Sequence, residues 1–232
     1  MNDGLLLLNK EPGLTSFTSL NIVKKAFSTG KVGHTGTLDK FASGLLLVLV
    51  GRAVKLSSNF VGLDKEYTGT IFFGKETDTL DPEGEVIAEG DIPTREEVEA
   101  ALADFRGEIL QKPPVYSALH LGGRRAYQLA REGKTPEMKE RPVTIHELEL
   151  ISFTPPTANI RVLCSSGTYI RSLARDIALS VGSKGHLSAL NRSAVGSFRL
   201  DDAVFGGNAD DLQKALLPMN GEWLKSYVNA GN

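Results

Sequence analysis

Cysteine is almost absent from this chain, because Cys164 is the only one among its 232 residues. A single cysteine excludes a disulfide framework within the chain and a metal cluster built on several thiolates. We expect Cys164 to be a small buried residue. The four histidines, His34, His120, His146 and His186, show no close pairing of the kind that metal sites use, so we predict no metal ion.

Long hydrophobic segments are also missing. The longest apolar run covers residues 45–50 between Gly44 and Gly51, whereas a membrane-spanning helix needs about 20 apolar residues. This run predicts a buried strand. The segment Met1–Gly4 carries no positive charge and no signal-type cleavage site. We therefore expect a cytoplasmic protein with no membrane partner.

Neither sign of charge dominates, since the formal net charge is −2. This balance argues against a protein that grips nucleic acid with its whole surface. Acidic residues concentrate in residues 76–108, whereas basic residues are in excess elsewhere. A one-sided basic face for RNA or DNA is therefore permitted, although charges scattered over solvated helices are the ordinary alternative. The basic residues are Lys10, Lys24, Lys25, Lys31, Arg52, Lys55, Arg124, Arg125, Arg131, Lys134, Arg171, Arg175, Lys184 and Arg192.

Apolar periodicity and turn residues predict a mixture of strands and helices. The predicted strands cover residues 5–8, 44–50, 67–73, 143–153 and 158–164. The predicted helices run from residue 16 to near residue 30 and over residues 95–105, 126–131, 168–181 and 210–217. The strands come in adjacent runs rather than in strict alternation with helices. We therefore predict an α+β fold with a mixed, mainly antiparallel sheet and flanking helices.

Residues 33–46 form a polar loop, punctuated by glycines, before the buried strand. Gly33, Gly36 and Gly44 allow positive φ or close approach of the backbone. Asp39 supplies the loop's carboxylate, which can act as a nucleophile or a base. In the structural alternative, Asp39 only caps a short helix through Phe41-Ala42-Ser43. The loop alone leaves both interpretations open.

Two other segments carry chemistry of the kind found in active sites. Tyr67 begins a strand, where its phenol can stack on a base, move a proton, or simply cover a sheet face. Residues 165–171 join a strand to a helix N-terminus, where backbone N–H groups and Arg171 can meet a carboxylate or phosphate. Arg171 either forms an exposed pair with Asp176 or a glutamate, or makes a bidentate contact that orients Asp39 and keeps it ionised.

Five short blocks follow one another in order along residues 5–200. They are Leu8-Asn9-Lys10-Glu11-Pro12-Gly13 with Thr15-Ser16, residues 33–46, Lys65-Glu66-Tyr67, Pro114-Val115-Tyr116-Ser117-Ala118-Leu119, and residues 165–173 with Gly185-His186-Leu187. Together they resemble the TruB family of tRNA pseudouridine synthases. The resemblance implies the pseudouridine synthase catalytic fold over residues 1–200. Residues 201–232 would be a short extension, too short for the PUA domain that many members carry there.

The resemblance also implies roles for individual residues. Asp39 would be the catalytic aspartate, and Arg171 would pair with it. Tyr67, a third catalytic residue, would flank the target base together with Tyr169. His34 would help to hold the extruded loop of the RNA.

Further positions match the lining of the family's cleft, namely Lys10, Lys55 and Leu190. The chain also departs from the family pattern in two places. It has Lys40-Phe41-Ala42-Ser43 where the family usually has Pro-Leu-Ala-Thr, so the turn loses a proline that fixes φ. It has Asn191 where the family commonly has an arginine.

The reaction implied by the resemblance is isomerisation of uridine to pseudouridine in the T-arm loop of tRNA, at tRNA position 55. Breaking the N1–C1′ bond, rotating the base and joining C5 to C1′ needs no cofactor. Asp39 can attack C1′, attack C6, or take a ribose proton to give a glycal, and the sequence leaves the three routes open. The expected enzyme is a monomer that flips the target base out of its stack.

Two other functional classes remain as alternatives. An RNA-folding chaperone or binding module would act on tRNA without chemistry. A hydrolase would use Asp39 with His34 and release free uracil or cleaved RNA.

Overall fold

The computed structural model describes residues 3–134, 136–220 and Leu224, and divides them between two compact units. The first unit comprises Met1–Tyr67 and Leu190–Asn232, and the second comprises Thr68–Ala189. The strands are β1 Gly4–Lys10, β2 Val32–Thr35, β3 Ser43–Val50, β4 Lys65–Phe73, β5 Lys75–Thr77, β6 Val86–Glu89, β7 Gly107–Gln111, β8 His120–Leu121, β9 Arg124–Arg125, β10 Arg141–Thr154, β11 Thr157–Cys164, β12 Gly185–Val195, β13 Phe198–Arg199, β14 Val204–Phe205 and β15 Leu217–Pro218. The helices are α1 Ser16–Ala26, α2 Ser57–Val61, α3 Arg95–Ala101, α4 Ala126–Arg131, α5 Ile170–Ser180 and α6 Ala209–Lys214, with 3₁₀ turns at Gly51–Leu56, Leu102–Phe105 and Leu200–Asp202.

Two leucine-rich strands form the centre of the first unit. β1 and β3 pair antiparallel from Gly4 opposite Val50 to Lys10 opposite Gly44. Both strands are apolar at nearly every position because both faces are covered. Leu6, Leu8, Leu46 and Val48 pack on one face with α1, whereas Leu5, Leu7, Leu45 and Leu47 pack on the other with Phe60 and Phe198.

Helix α1 begins where its sequence indicates. The Thr15 hydroxyl accepts a hydrogen bond from the Thr18 N–H at 3.0 Å, which satisfies a donor that the helix leaves open. Leu20 and Val23 are buried against the sheet. Lys24 and Lys25 lie in the last turn, where a cation suits the helix dipole. The predicted helix is confirmed, although it ends at Ala26 rather than near Gly30.

The second unit contains the order β4, β11, β10, β7. β10 and β11 pair antiparallel up to Thr154 opposite Thr157. Their turn contains a cis bond between Pro155 and Pro156. This confirms the strands predicted over residues 143–153 and 158–164, which lie on either side of the two prolines.

Pairing in both units is mainly antiparallel, with parallel pairs between β1 and β14 and between β3 and β12. The predicted α+β class with a mixed sheet is therefore confirmed. Within the described residues, no helix is long and apolar enough to cross a membrane.

Other elements also differ from the prediction. The helix expected over residues 95–105 is an α-helix only to Ala101 and then tightens into a 3₁₀ turn. The helix expected over residues 210–217 ends at Lys214. β2 was not predicted, since it is short and mostly half-buried. The boundary at residue 200 stays a prediction. The sequence also predicts a small packing contact at Trp223, which lies outside the described residues.

Candidate active site

Asp39 lies in the loop of a β-hairpin in the first unit. β2 pairs antiparallel with β3, with His34 opposite Val48. Residues 36–42 connect the two strands, and Asp39 is half-buried within them. The Ala42 N–H donates to the Asp39 carbonyl at 3.2 Å. The loop continues directly into β3, so the alternative helix through Phe41-Ala42-Ser43 does not form and that interpretation is wrong.

Ser16 fixes the residue that precedes Asp39. The Leu38 N–H donates to Ser16 Oγ at 2.8 Å, and Ser16 Oγ donates to the Leu38 carbonyl at 2.9 Å. Both hydrogen bonds are buried, where they are stronger than in water. The first residue of α1 therefore holds the backbone immediately before the carboxylate.

Lys10 lies beneath the same loop, with only 1% of its surface exposed. Its ammonium donates to the Ala42 carbonyl at 2.6 Å and to the Leu14 carbonyl at 2.6 Å, with Glu11 and Lys40 carbonyls at 3.0 and 3.4 Å. Lys10 therefore ties the loop after Asp39 to the segment after β1. Its predicted contact with substrate stays a prediction.

The other predicted residues of the first unit differ in their exposure. Tyr67 shares the inward face of β4 with Lys65 and is 8% exposed. The Lys65 ammonium donates to the Val61 carbonyl at 2.7 Å, which anchors the start of this strand. Leu190 is buried on β12, whereas Lys55 is exposed on a 3₁₀ turn.

Tyr169 immediately precedes α5 in the second unit and is half-buried. Its N–H donates to Gln111 Oε1 at 2.8 Å, and Gln111 Nε2 donates to the Tyr169 carbonyl at 3.1 Å. Gln111 is itself buried. This amide clamp was missed in the sequence, where Gln111 was only the start of a proline-rich segment.

Arg171 lies in the first turn of α5, where its guanidinium is buried. It donates from Nη1 to the Thr79 carbonyl at 2.8 Å and to Asp81 Oδ2 at 3.2 Å, and from Nη2 to the Tyr116 carbonyl at 2.9 Å. An exposed pair with Asp176 is therefore wrong. The pairing with Asp39 that the resemblance implies stays a prediction.

Asp176 instead pairs with Arg175 at 2.7 Å on the same helix. Burial raises the pKa of the Asp176 carboxyl, while the Arg175 guanidinium acts in the opposite direction. The two arginines of α5 thus have separate acidic partners.

Asp81 is a buried partner of Arg171 that the sequence did not single out. Its Oδ1 accepts from Thr79 Oγ1 at 2.6 Å and from the Glu83 N–H at 3.0 Å, which leaves Oδ2 for Arg171. The Thr77 hydroxyl also donates to the Asp81 carbonyl at 2.7 Å. A tight loop thus orients Asp81. The turn-forming residues Pro82 and Gly84 are the local sequence feature that indicates this loop.

Several of the basic residues considered for an RNA- or DNA-binding face have protein partners. Arg52 pairs with Asp3, Arg124 pairs with Glu132, and Lys184 lies 3.9 Å from Glu76. Exposed pairs of this kind exchange readily with solvent and contribute little to stability. They do not prevent these side chains from meeting a polyanion.

Residues 24–170 match a family model described as TruB family pseudouridylate synthase (N terminal domain). The tRNA pseudouridine synthase B of Borreliella burgdorferi strain ZS7 is 49% identical over 230 residues, which is 98% of this chain and 80% of the relative. The protein of the same name from Francisella philomiragia is 49% identical over 213 residues, covering 90% of this chain and 70% of that protein.

Solved structures extend the similarity to the fold. A chain of a Cbf5-Nop10-Gar1 complex superimposes with a TM-score of 0.72 at 27% identity, covering 94% of this chain. A chain of an archaeal box H/ACA sRNP Nop10-Cbf5 complex does so with a TM-score of 0.69 at 25% identity. This chain spans 60% of the length of each of these two solved chains.

Proposed function

The chain belongs to the TruB family of pseudouridylate synthases, which are isomerases, and from that premise we propose that it converts uridine to pseudouridine in the T-arm loop of tRNA, at tRNA position 55. Curated relatives that match most of this chain are named tRNA pseudouridine synthase B, which supports tRNA as the substrate. We also propose that the enzyme is cytoplasmic and acts as a monomer.

The observation that carries the proposal is the support of the loop around Asp39. Ser16 holds Leu38 before the aspartate, and Lys10 holds Ala42 after it. A carboxylate whose backbone is fixed on both sides can be presented to a reacting carbon in one geometry. Each of the three routes to pseudouridine needs such a positioned, ionised carboxylate.

In the proposed reaction, the N1–C1′ bond breaks and the detached uracil rotates until C5 faces C1′. C5 then bonds to C1′, the proton on C5 is lost to solvent, and N1 gains a proton. The product therefore has the same atoms as the substrate. Asp39 acts at C1′, at C6 or on a ribose proton.

The base must leave its stack before this chemistry can occur. Flipping a base from a folded loop costs a few kcal/mol, and stacking on an aromatic side chain returns about 1 to 3 kcal/mol. We assign this stacking to Tyr67 and Tyr169, and we assign the space vacated in the RNA to His34. Lys55 and Leu190 would line the same substrate path.

The experiment is release of tritium from T-arm RNA that carries [5-³H]uridine at the target position. Wild-type protein should release the label, whereas Asp39→Asn should release none and still bind the RNA. Asp202→Asn, which removes an exposed carboxylate of the first unit, should behave as wild type. Binding without release by the wild type would overturn the proposal and favour the RNA-folding alternative.

A further inference from the structure

Arg192 spans both ends of the loop that carries Asp39. It lies on β12 and is 1% exposed. Its Nε donates to the Leu45 carbonyl at 2.7 Å, and its Nη2 donates to the Gly36 carbonyl at 3.1 Å. Gly36 begins the loop, and Leu45 lies just beyond its end on β3. One guanidinium therefore joins the two ends of the loop.

The backbone of β12 also packs closely against the end of this loop. Arg192 lies opposite Gly44 in the parallel pairing of β12 with β3. Gly44 has φ +106°, and a Cβ there would lie 2.5 Å from the Arg192 carbonyl oxygen. Asn191 Nδ2 donates to Ser43 Oγ at 2.9 Å one position away. The glycine thus permits the approach that brings Arg192 beneath the loop.

Arginine is suited to this place by its shape. Its planar fork carries donors in several directions and keeps its charge when buried. A hydrophobic side chain of similar length would leave the Gly36 and Leu45 carbonyls without these partners, which is costly in a buried setting. A lysine carries its donors on a single nitrogen, so it does not reproduce the separate Nε and Nη2 positions from which Arg192 reaches the two carbonyls.

We propose that Arg192 is a positioning residue for Asp39, fixing the distance between the ends of the loop so that the carboxylate is held where the reaction needs it. The proposal rests on the proposed function for its kinetic consequence. The clamp itself is a property of the protein without RNA. Arg192 therefore contributes to the rate of the reaction and does not contact a phosphate of the RNA. In the sequence it was one of the basic residues considered for an RNA- or DNA-binding face.

The kinetic test compares Arg192→Met and Arg192→Lys in single-turnover reactions with T-arm RNA. Misplacement of the carboxylate should lower the rate of Arg192→Met by about 100-fold, with the Kd for RNA within about threefold of wild type. Arg192→Lys should recover part of that rate. Leu212→Ala, which removes a buried contact of α6 far along the chain from the loop, serves as a control for lost stability.

The second readout is hydrogen exchange at the amides of residues 36–45 without RNA. We expect these amides to exchange at least about tenfold faster in Arg192→Met than in Leu212→Ala. The two variants are compared under conditions that give them the same free energy of unfolding. Unchanged exchange, or a rate loss no larger than in Leu212→Ala, would overturn the positioning role. If wild type shows no turnover, the proposed function fails while the exchange result still decides the clamp.

Discussion

Arg171 and Asp81 form a buried ion pair, with Nη1 lying 3.2 Å from Oδ2 and side chains that are 5% and 7% exposed. Removing one partner of such a pair leaves the other charge buried and uncompensated. The pair therefore orders the start of α5, where Arg171 and Tyr169 lie. Because an unpaired charge at this position is costly, the stability of the second unit should depend strongly on both partners.

We expect Asp81→Asn to lower the free energy of unfolding by about 3 to 5 kcal/mol. The amide keeps the size of the side chain but loses the charge that faces Arg171. Urea unfolding measures the change. Glu149→Gln, which weakens the exposed contact of Arg161 with Glu149, should have a small effect, and an equal loss in the two variants would contradict this account.

The variants Lys10→Met and Lys55→Met should distinguish a buried lysine that supports the loop from an exposed lysine on the surface. Lys10→Met deprives buried carbonyls of a donor, which costs about 1 to 3 kcal/mol for each group left unsatisfied. Its RNA affinity should keep the wild-type salt dependence, since the buried ammonium is bonded to carbonyls.

Lys55→Met should instead fold with wild-type stability because Lys55 is exposed. If it contacts a phosphate, the slope of log Kd against log salt should fall by about 0.7 to 0.9. The measurement is a salt titration of T-arm RNA binding for both variants. A reduced slope for Lys10→Met alone would show that Lys10, rather than Lys55, meets the RNA.

Ser16→Ala should slow the reaction more than it weakens binding. The hydroxyl both accepts from the Leu38 N–H and donates to the Leu38 carbonyl, so its loss frees the backbone before Asp39. We expect a fall in single-turnover rate of about tenfold with little change in Kd. Ser19→Ala is the matched control on α1, because Ser19 Oγ bonds within the helix to the Thr15 carbonyl. Equal rates for the two variants would contradict the role of Ser16.

The contact between Asp3 and Arg52 should make a small contribution to stability that depends on pH. The Arg52 backbone N–H, followed by its guanidinium, holds the pKa of the Asp3 carboxyl below its ordinary value of 3.8. A carboxyl with a lowered pKa stabilises the fold above its unfolded-state pKa, and this contribution is lost as pH falls through the folded-state pKa.

The stability difference between wild type and Asp3→Asn should therefore be largest above about pH 4 and shrink toward zero in stronger acid. Urea midpoints measured from acid to neutral pH give this difference directly. A difference that stays constant over the range would show that the carboxylate is not what stabilises this contact.

Local sequence patterns predicted the helices and strands better than they predicted which distant residues contact each other. Thr94 and Glu97 have the spacing that predicts a capping box, and the structure contains it. Helix α4 covers the predicted residues 126–131. Both features depend on residues three or four apart, which a sequence displays directly. The leucine runs likewise predicted β1 and β3, since strands covered on both faces are continuously apolar.

The supports of the candidate site were not visible because they join distant parts of the chain. Arg192 reaches a carbonyl 147 positions away, and Arg171 reaches a carboxylate 90 positions away. In the sequence, Asp81 was one acid among many, and Lys10 and Arg192 were surface cations. In the structure Asp81, Lys10 and Arg192 are buried and bonded to other parts of the protein, which composition alone does not predict.

The central claim is tested most directly by identifying the nucleoside made from tRNA by the wild-type protein. After complete digestion, chromatography with mass spectrometry should show one uridine per tRNA replaced by a nucleoside of equal mass that is pseudouridine, mapped to the T-arm loop. Asp39→Asn should leave that uridine unchanged. Free uracil, strand scission or an unaltered tRNA with the wild-type protein would contradict the account.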